Sequence, residues 1–428
     1  MGHHMGAALA VPNFRRYVSG QSLSLIGTWV ETVAQGLLVL RLTHSAVALG
    51  LTTAARYGPI LVLSPYAGLL VDRLPKRRVL LVTQAGLGVV SLLLGLAVLL
   101  GSVRLWQVFV LAGAFGTFSA ADNPARQAFV SEVVGPSLVR NAVTLNSTLV
   151  NVARVLGPTV AAVVVDSIGI GWCFIVNAVS FLFVIASLLA LNIKQLHPSQ
   201  PLRRAPRELR DGLRYAAGVP DVMFPLLMMA VVGTFAFEFE VSLPLLGEDT
   251  FHGGADAYSW LLGAFGAGAV IGGLYAAGKA RTGVVRLSRV AGVYAVAMAL
   301  LAAMPDLWSA VGACTLVGLA TILFLTTGNA TVQLASDPRY RGRVMALWSM
   351  ALVGSTPIGS PIVGALSAAF NPRAGVAIGA AGCAVAAGMG RWATSRARAP
   401  GGRGAQALPS SAGGSPDVPR VCASCEVG

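Results

Sequence analysis

Charge is scarce in this 428-residue chain: 11% of its residues are Asp, Glu, Lys or Arg, against about 25% in a soluble domain. With 55% hydrophobic residues and a mean hydropathy of +0.72, a soluble globular protein is excluded. Acids are scarcer than bases, 17 against 31. The net charge of +14 would suggest nucleic acid in a soluble protein. Here the bases gather in short loops between apolar runs, so they report membrane topology, and nucleic acid is not an expected partner. Cysteine is sparse too. Cys173, Cys314 and Cys383 fall in apolar runs as ordinary buried thiols, and Cys422 and Cys425 form a lone C-x-x-C with no second pair to complete a zinc site. His44, His197 and His252 sit in loops or polar segments, and there is no H-E-x-x-H, G-x-S-x-G or P-loop. Metal hydrolysis, serine-type hydrolysis and direct use of ATP therefore lack their residues, and neither metal nor cofactor is expected. A cleavable leader is also not expected, because the first apolar run is too long and follows Arg15 and Arg16.

What is present is a series of apolar runs, each long enough for the ~20 residues a spanning helix needs. Twelve are read, at roughly 17–40, 47–71, 79–101, 105–122, 141–165, 169–192, 221–245, 257–278, 287–304, 307–331, 344–369 and 373–393. They divide the chain into an N-terminal tail (1–16), a six-helix bundle (17–192), a linker (193–220), a second six-helix bundle (221–393) and a polar tail (394–428) expected to be disordered. In the linker, Leu209 and Leu213 lie four apart among Glu208, Arg210, Asp211 and Arg214, the pattern of an amphipathic helix on a membrane surface.

The bases set the expected orientation. Only Arg41, Arg104 and Arg373 fall in loops on one side, and Arg56 and Arg154 fall within runs; the others gather in the tails, the linker and the loops of the opposite side. That puts both termini in the cytoplasm of a plasma (inner) membrane protein. The halves also repeat. Gly27-Thr28-Trp29 matches Gly233-Thr234-Phe235, and Asn123-x-x-x-Gln127 matches Asn329-x-x-x-Gln333, both at an offset of 206. Arg140 pairs with Arg343 and Pro158 with Pro361 at 203. A near-constant shift over separate stretches points to parallel repeats of six spans, a transporter architecture with its site where the repeats meet.

Between runs two and three lies Gly68-Leu69-Leu70-Val71-Asp72-Arg73-Leu74-Pro75-Lys76-Arg77-Arg78. Together with the repeat, this stretch resembles the signature of the major facilitator superfamily, G-x-x-x-D-R-x-G-R-R, matched at Gly68, Asp72, Arg73, Lys76 and Arg77, with Pro75 where the family usually has Gly. Asn123-Pro124-Ala125-Arg126-Gln127, Leu145-Asn146-Ser147, Gly157-Pro158, Arg341-Gly342-Arg343 and Pro357-Ile358-Gly359-Ser360-Pro361 are similar to the branch holding the enterobactin exporter and macrolide efflux pumps. The resemblance implies an all-α fold of twelve transmembrane helices in two pseudo-symmetric bundles. It also implies a cytoplasmic latch in which Gly68 allows close approach, Asp72 engages the start of span 11 near Arg343, and Asp122 partners the loop bases.

Polar residues inside the runs are the candidate site, since a charge at the bilayer centre costs about 2.5–3.5 kcal/mol on insertion scales. Glu31 shares one helix face with Ser24, Gly27, Thr28 and Gln35. It reads either as a cavity carboxylate for protons or substrate, or as an acid satisfied by a neighbouring helix. Glu238 and Glu240, two apart, point about 200° from each other on a continuous helix. Glu238, on the face of Thr234, is expected in the cavity, and Glu240 paired with a polar group at a helix contact or near the outer surface. Arg154 continues a stripe with Asn151 and Pro158, deep enough to need an acidic partner such as Glu31 or Glu238. Arg56 reads as a base snorkelling to the outer surface. Trp29 and the Phe residues at 235, 237 and 239 read as packing. The expectation is a monomeric secondary transporter in lipid that exports a small molecule (a drug, siderophore or secondary metabolite) in exchange for protons. Import on the same fold, or a non-transporting scaffold or receptor, is the alternative.

Overall fold

The computed structural model describes residues 7–197, 208–278, 282–337 and 339–398, and it is entirely helical among them. The first half contains α1 (Pro12–Thr43), α2 (Ala46–Arg73), α3 (Lys76–Leu99), α4 (Leu105–Val134), α5 (Val139–Ser167) and α6 (Ile170–Leu189). A linker helix, α7 (Glu208–Gly218), leads into α8 (Pro220–Ala236) and α9 (Phe239–Leu245), then α10 (Gly254–Gly278), α11 (Val284–Ala303) and α12 (Leu307–Ala335). The chain closes with α13 (Arg341–Val353), α14 (Thr356–Ala369) and α15 (Pro372–Arg398). Helices satisfy their own backbone groups, which is what hydrocarbon demands of a spanning segment. Eleven stretches are long and apolar enough to cross a membrane, with α8–α9 and α13–α14 each counting as one. The twelfth is α4, 30 residues long but diluted by Gln107, Thr117, Ser119 and Asp122. Its internal Pro124 and the Pro158 of α5 lie within helices that continue past them.

Helix pairing repeats between the halves. In the first, α6 packs on α1 and α3, and α4 packs on α2 and α3. In the second, α15 packs on α8 and α11, and α12 packs on α10 and α11. Gly157 of α5 lies against Trp29 of α1, as Gly359 of α14 lies against the Thr234 carbonyl of α8. These are two pseudo-symmetric six-helix lobes.

The lobes meet through α2 against α14 and through α5 against α10. At the end away from the chain termini, Gly50 faces the Ser360 carbonyl and Gly364 faces the Ala46 carbonyl, so backbone touches backbone. The contact continues to Leu61 beside Gly354. Beyond it, toward the terminal end, Tyr66 and Leu70 are 70% and 54% exposed, and α13 touches α2 only lightly. The lobes are thus closed at the far end and parted at the terminal end.

The α2–α3 turn shows why Pro75 is accommodated. Leu74 is extended (φ −105°, ψ 153°) and Pro75 has φ −59°, which its ring prefers. Its carbonyl then accepts from the Arg78 and Val79 amides. A glycine is not required there. Gly68, expected to allow close approach, has nothing within 4 Å of where a Cβ would stand, because its end of α2 faces the open side.

The linker helix docks on the second lobe. The Tyr215 ring stacks on Tyr340 at 4.4 Å, its hydroxyl accepts from the Asp337 amide at 2.9 Å, and Gly212 sits on Arg343. Leu213, on the expected membrane-facing stripe, is 54% exposed, while Ala216 is fully buried. The side chain of Leu209 and the Cys422/Cys425 pair lie outside the described residues.

Candidate functional site

The candidate site grows from Glu31 on α1. It is buried, and one carboxylate oxygen accepts from Ser91 Oγ of α3 and Asn177 Nδ2 of α6, both at 2.5 Å. Its other oxygen lies 3.9 Å from an Arg56 guanidinium nitrogen of α2. Arg56 donates to Gln35 Oε1 at 2.6 Å and lies 4.1 Å over the Phe115 ring of α4. Five helices of the first lobe thus converge on one buried ion pair, with its remaining capacity met by hydrogen bonds and a ring face, the condition under which such a pair is tolerated.

This overturns the snorkelling reading of Arg56. The residue stands about 15 Å along the helix from Ala46, near mid-bilayer and beyond the reach of its own side chain to the surface. Its partners come from neighbouring helices. Of the two open readings of Glu31, the interhelical hydrogen bond is the geometry seen. Ser91 and Asn177 were missed; the available signal was that each is a polar residue in an otherwise apolar run.

Span 7 is not one helix. It breaks between α8 and α9, where Phe237 (φ −96°, ψ 8°) and Glu238 (φ −82°, ψ 44°) leave helical geometry. The Ala236 carbonyl released by the break accepts from the buried Tyr294 hydroxyl at 3.0 Å. The 200° argument assumed a continuous helix, so it fails here. Glu240 is the acid that reaches across the lobes: Tyr57 Oη of α2 donates to it at 2.7 Å. Glu240 also borders a crevice with Gln35, Thr52, Thr53 and Arg56. That space holds about one water molecule. Glu238 is buried against Gly359, and neither of its carboxylate oxygens has a hydrogen-bond partner among the described residues. Ser360 stands beside it, but the Ser360 hydroxyl donates to the Thr356 carbonyl at 2.5 Å.

Arg154 lies 5.2 Å over the Trp29 ring, with Tyr57 and Glu240 in electrostatic reach and its buried Nε unpartnered. It forms no ion pair with Glu31 or Glu238; Glu240 is the acid it faces. Thr234 returns its hydroxyl to the Ala230 carbonyl of its own helix at 2.8 Å. The side chains of Asn151 and Asp72 lie outside the described residues.

At the terminal end the basic stretch spreads over several helices. Arg73 is exposed, Lys76 is buried 3.9 Å from Glu132 of α4, and Arg77 Nε donates to the Leu188 carbonyl at the end of α6 at 2.8 Å. Asp122 accepts from Thr83 Oγ1 and Gln84 Nε2, each at 2.8 Å, and lies 3.7 Å from Arg126. Its partners come from α3 and its own helix, not from the loop bases. Arg343 is 3.9 Å from Asp211 of the linker helix and 5.4 Å from the Tyr340 ring.

Residues 6–415 match the family described as transmembrane secretion effector, a branch of the major facilitator superfamily. The chain belongs to that family. Among curated proteins, the enterobactin exporter EntS of Shigella flexneri is 25% identical over 366 residues, covering 85% of this chain and 87% of that protein. The staphyloferrin A transporter of Staphylococcus aureus is 25% identical over 245 residues, covering 56% of this chain and 61% of that protein, which is under two thirds of its length. Two solved structures share the fold. The nucleoside transporter NupG has a TM-score of 0.72 at 11% identity, over 91% of this chain and all of that one. A bacterial homolog of the human lysosomal transporter Spinster, inward-facing and occupied, scores 0.69 at 16% identity, over 92% of this chain and 98% of that one. The major facilitator chain described here is a multi-pass membrane transporter, with the relatives and fold of transporters and not of enzymes.

Proposed function

We propose that the chain is a secondary active exporter of a small molecule of the siderophore, drug or secondary-metabolite class, acting as a monomer in the plasma (inner) membrane by proton antiport. The terminal end is assigned to the cytoplasm by its excess of Lys and Arg, so the arrangement of the lobes is inward-open. The observation that carries the proposal is the gathering of Glu31, Arg56, Glu240 and Arg154 around the line where the lobes meet. Alternating access needs groups there whose partners differ between the two open states. Glu238 has no hydrogen bond to lose when it takes a proton, so it is assigned the proton. Arg154 with Asn151 one turn before it, Gln35, and Thr234 one turn before Glu238 are assigned to substrate. Gly68, Asp72, Arg73, Lys76, Arg77, Asp122 and Arg343 are assigned to the cytoplasmic gate that closes when the lobes rock. The siderophore class rests on the two curated relatives.

Inside-out vesicles loaded with an acidic interior supply the test. A siderophore-class compound should accumulate while the proton gradient stands, and accumulation should stop when an ionophore collapses it. Glu238→Gln should lose the dependence on the gradient at normal expression. Uptake only into right-side-out vesicles would establish import instead, and uptake indifferent to the gradient would refute proton coupling.

A further inference from the structure

A second site lies on the outside of the second lobe, in a groove of about 190 Å³ between α11 and α12. Its walls are Val290, Val293, Ala320 and Leu323, and two bases, Arg286 and Arg289, stand at its terminal end. Residues 286, 289, 290 and 293 repeat at three and four, so they form one stripe of α11. Val293 is 58% exposed and Val296 60%, which places this face outward, toward lipid. Gly283, just before the helix, donates to Thr331 Oγ1 of α12 at 2.9 Å and fixes the register. Arg286 and Arg289 therefore enter about 4 and 9 Å along from the terminal end. That is the depth at which the headgroup region gives way to hydrocarbon.

Neither arginine has an ion pair among the described residues, and Arg286 Nε is buried with no hydrogen-bond partner. Two fixed positive charges without an acid, capping an apolar groove that runs deeper into the bilayer, match one kind of occupant. We infer that this groove binds an anionic phospholipid of the leaflet at the terminal end, with its phosphate on Arg286 and Arg289 and an acyl chain along Val290, Val293, Ala320 and Leu323. The charge complementarity is the argument, because a zwitterionic lipid brings its own cation and leaves these two uncompensated.

Native mass spectrometry of the full chain, released from detergent with phosphatidylglycerol or phosphatidylcholine added, reads the site directly. Phosphatidylglycerol should be retained more strongly than phosphatidylcholine. Arg286→Gln with Arg289→Gln should weaken that retention by about fivefold per arginine removed. Leu323→Trp, which fills the groove and keeps both charges, should weaken it as well. Arg15→Gln with Arg16→Gln should leave it unchanged. The inference is overturned if the two lipids are retained equally, if the tail variant matches the groove variant, or if the filled groove binds as before. Displacement of the lipid by inorganic phosphate at equal concentration would also overturn it, by showing that no acyl chain contributes. Should the double variant misfold, the single exposed Arg289→Gln carries the same test.

Discussion

Gly50→Leu should push the transporter out of the arrangement in which its far end is closed. A Cβ at Gly50 would overlap the Ser360 carbonyl oxygen, with the Ser360 carbonyl carbon at 3.0 Å and Pro361 Cα at 3.2 Å. All three are backbone atoms, so no rotamer change relieves the overlap and α2 must move away from α14. Overpacking a tight contact costs about 1–3 kcal/mol. The strain exists only while the far end is closed, so it is differential between states and becomes a population shift of about 5- to 150-fold. Thr53 lines the crevice beside that contact and is 6% exposed. A Thr53→Cys reporter, in a background with Cys422→Ser and Cys425→Ser, should therefore react with a membrane-impermeant maleimide faster by roughly fivefold or more when Gly50→Leu is added. Gly58→Leu is the control, because nothing lies within 4 Å of that position on the same helix. Equal labelling in the Gly50 and Gly58 variants, both folded, would refute the closed seam as the state-determining contact.

Arg56→Met should destabilise the protein by about 3–5 kcal/mol, since it strands Glu31 with its charge uncompensated. Adding Glu31→Gln should recover part of the loss in a denaturant titration, and a cost below about 0.5 kcal/mol would restore the surface reading of this base. Tyr215→Ala removes a ring stack worth about 0.5–1.5 kcal/mol. It should speed tryptic cleavage after Arg214 by a few-fold up to roughly tenfold, and unchanged cleavage would mean that the linker helix is held elsewhere. Asp306 caps α12 by accepting from the Ser309 amide at 3.0 Å, the Ser309 hydroxyl at 2.8 Å and the Trp308 amide at 3.1 Å, and these bonds hold its carboxyl below the usual range. A depressed acid stabilises above its unfolded value of about 3.9 and loses that contribution as pH falls through the folded value. Asp306→Ala should thus speed hydrogen exchange in the first turn of α12 at neutral pH, with the difference fading as pH falls through the depressed folded value.

Spans, lobes and their repetition were legible because they are one-dimensional: run length, loop charge and a constant offset are properties of the chain itself. Even there, α4 reads as a span by length while its polar residues pull its apolarity down. The site was legible in composition and not in partnership. Glu31 was found because it interrupts an apolar run, but its donors Ser91 and Asn177 lie 60 and 146 residues away, a separation invisible to helical periodicity. Arg56 was misread for the same reason. That Glu240 pairs with a polar group at a helix contact was legible, but its partner Tyr57 was not, and the angular count separating it from Glu238 does not survive the helix break. Gly68 was expected at a close contact that the open end of this state does not make.

The interruption in span 7 has a mechanical consequence. An unbroken rod would pass every tilt of α8 directly into α9, and the second lobe would drag its whole seventh span with it. Here the Tyr294 hydroxyl meets the loose backbone carbonyl, so the joint is built into the fold and not a defect. The short piece is tied across the seam by Tyr57 and buried from Val241 to Leu245, so it holds its place while α8 tilts. A tilt of one lobe is thereby taken up at two residues, Phe237 and Glu238, instead of being carried along the whole span.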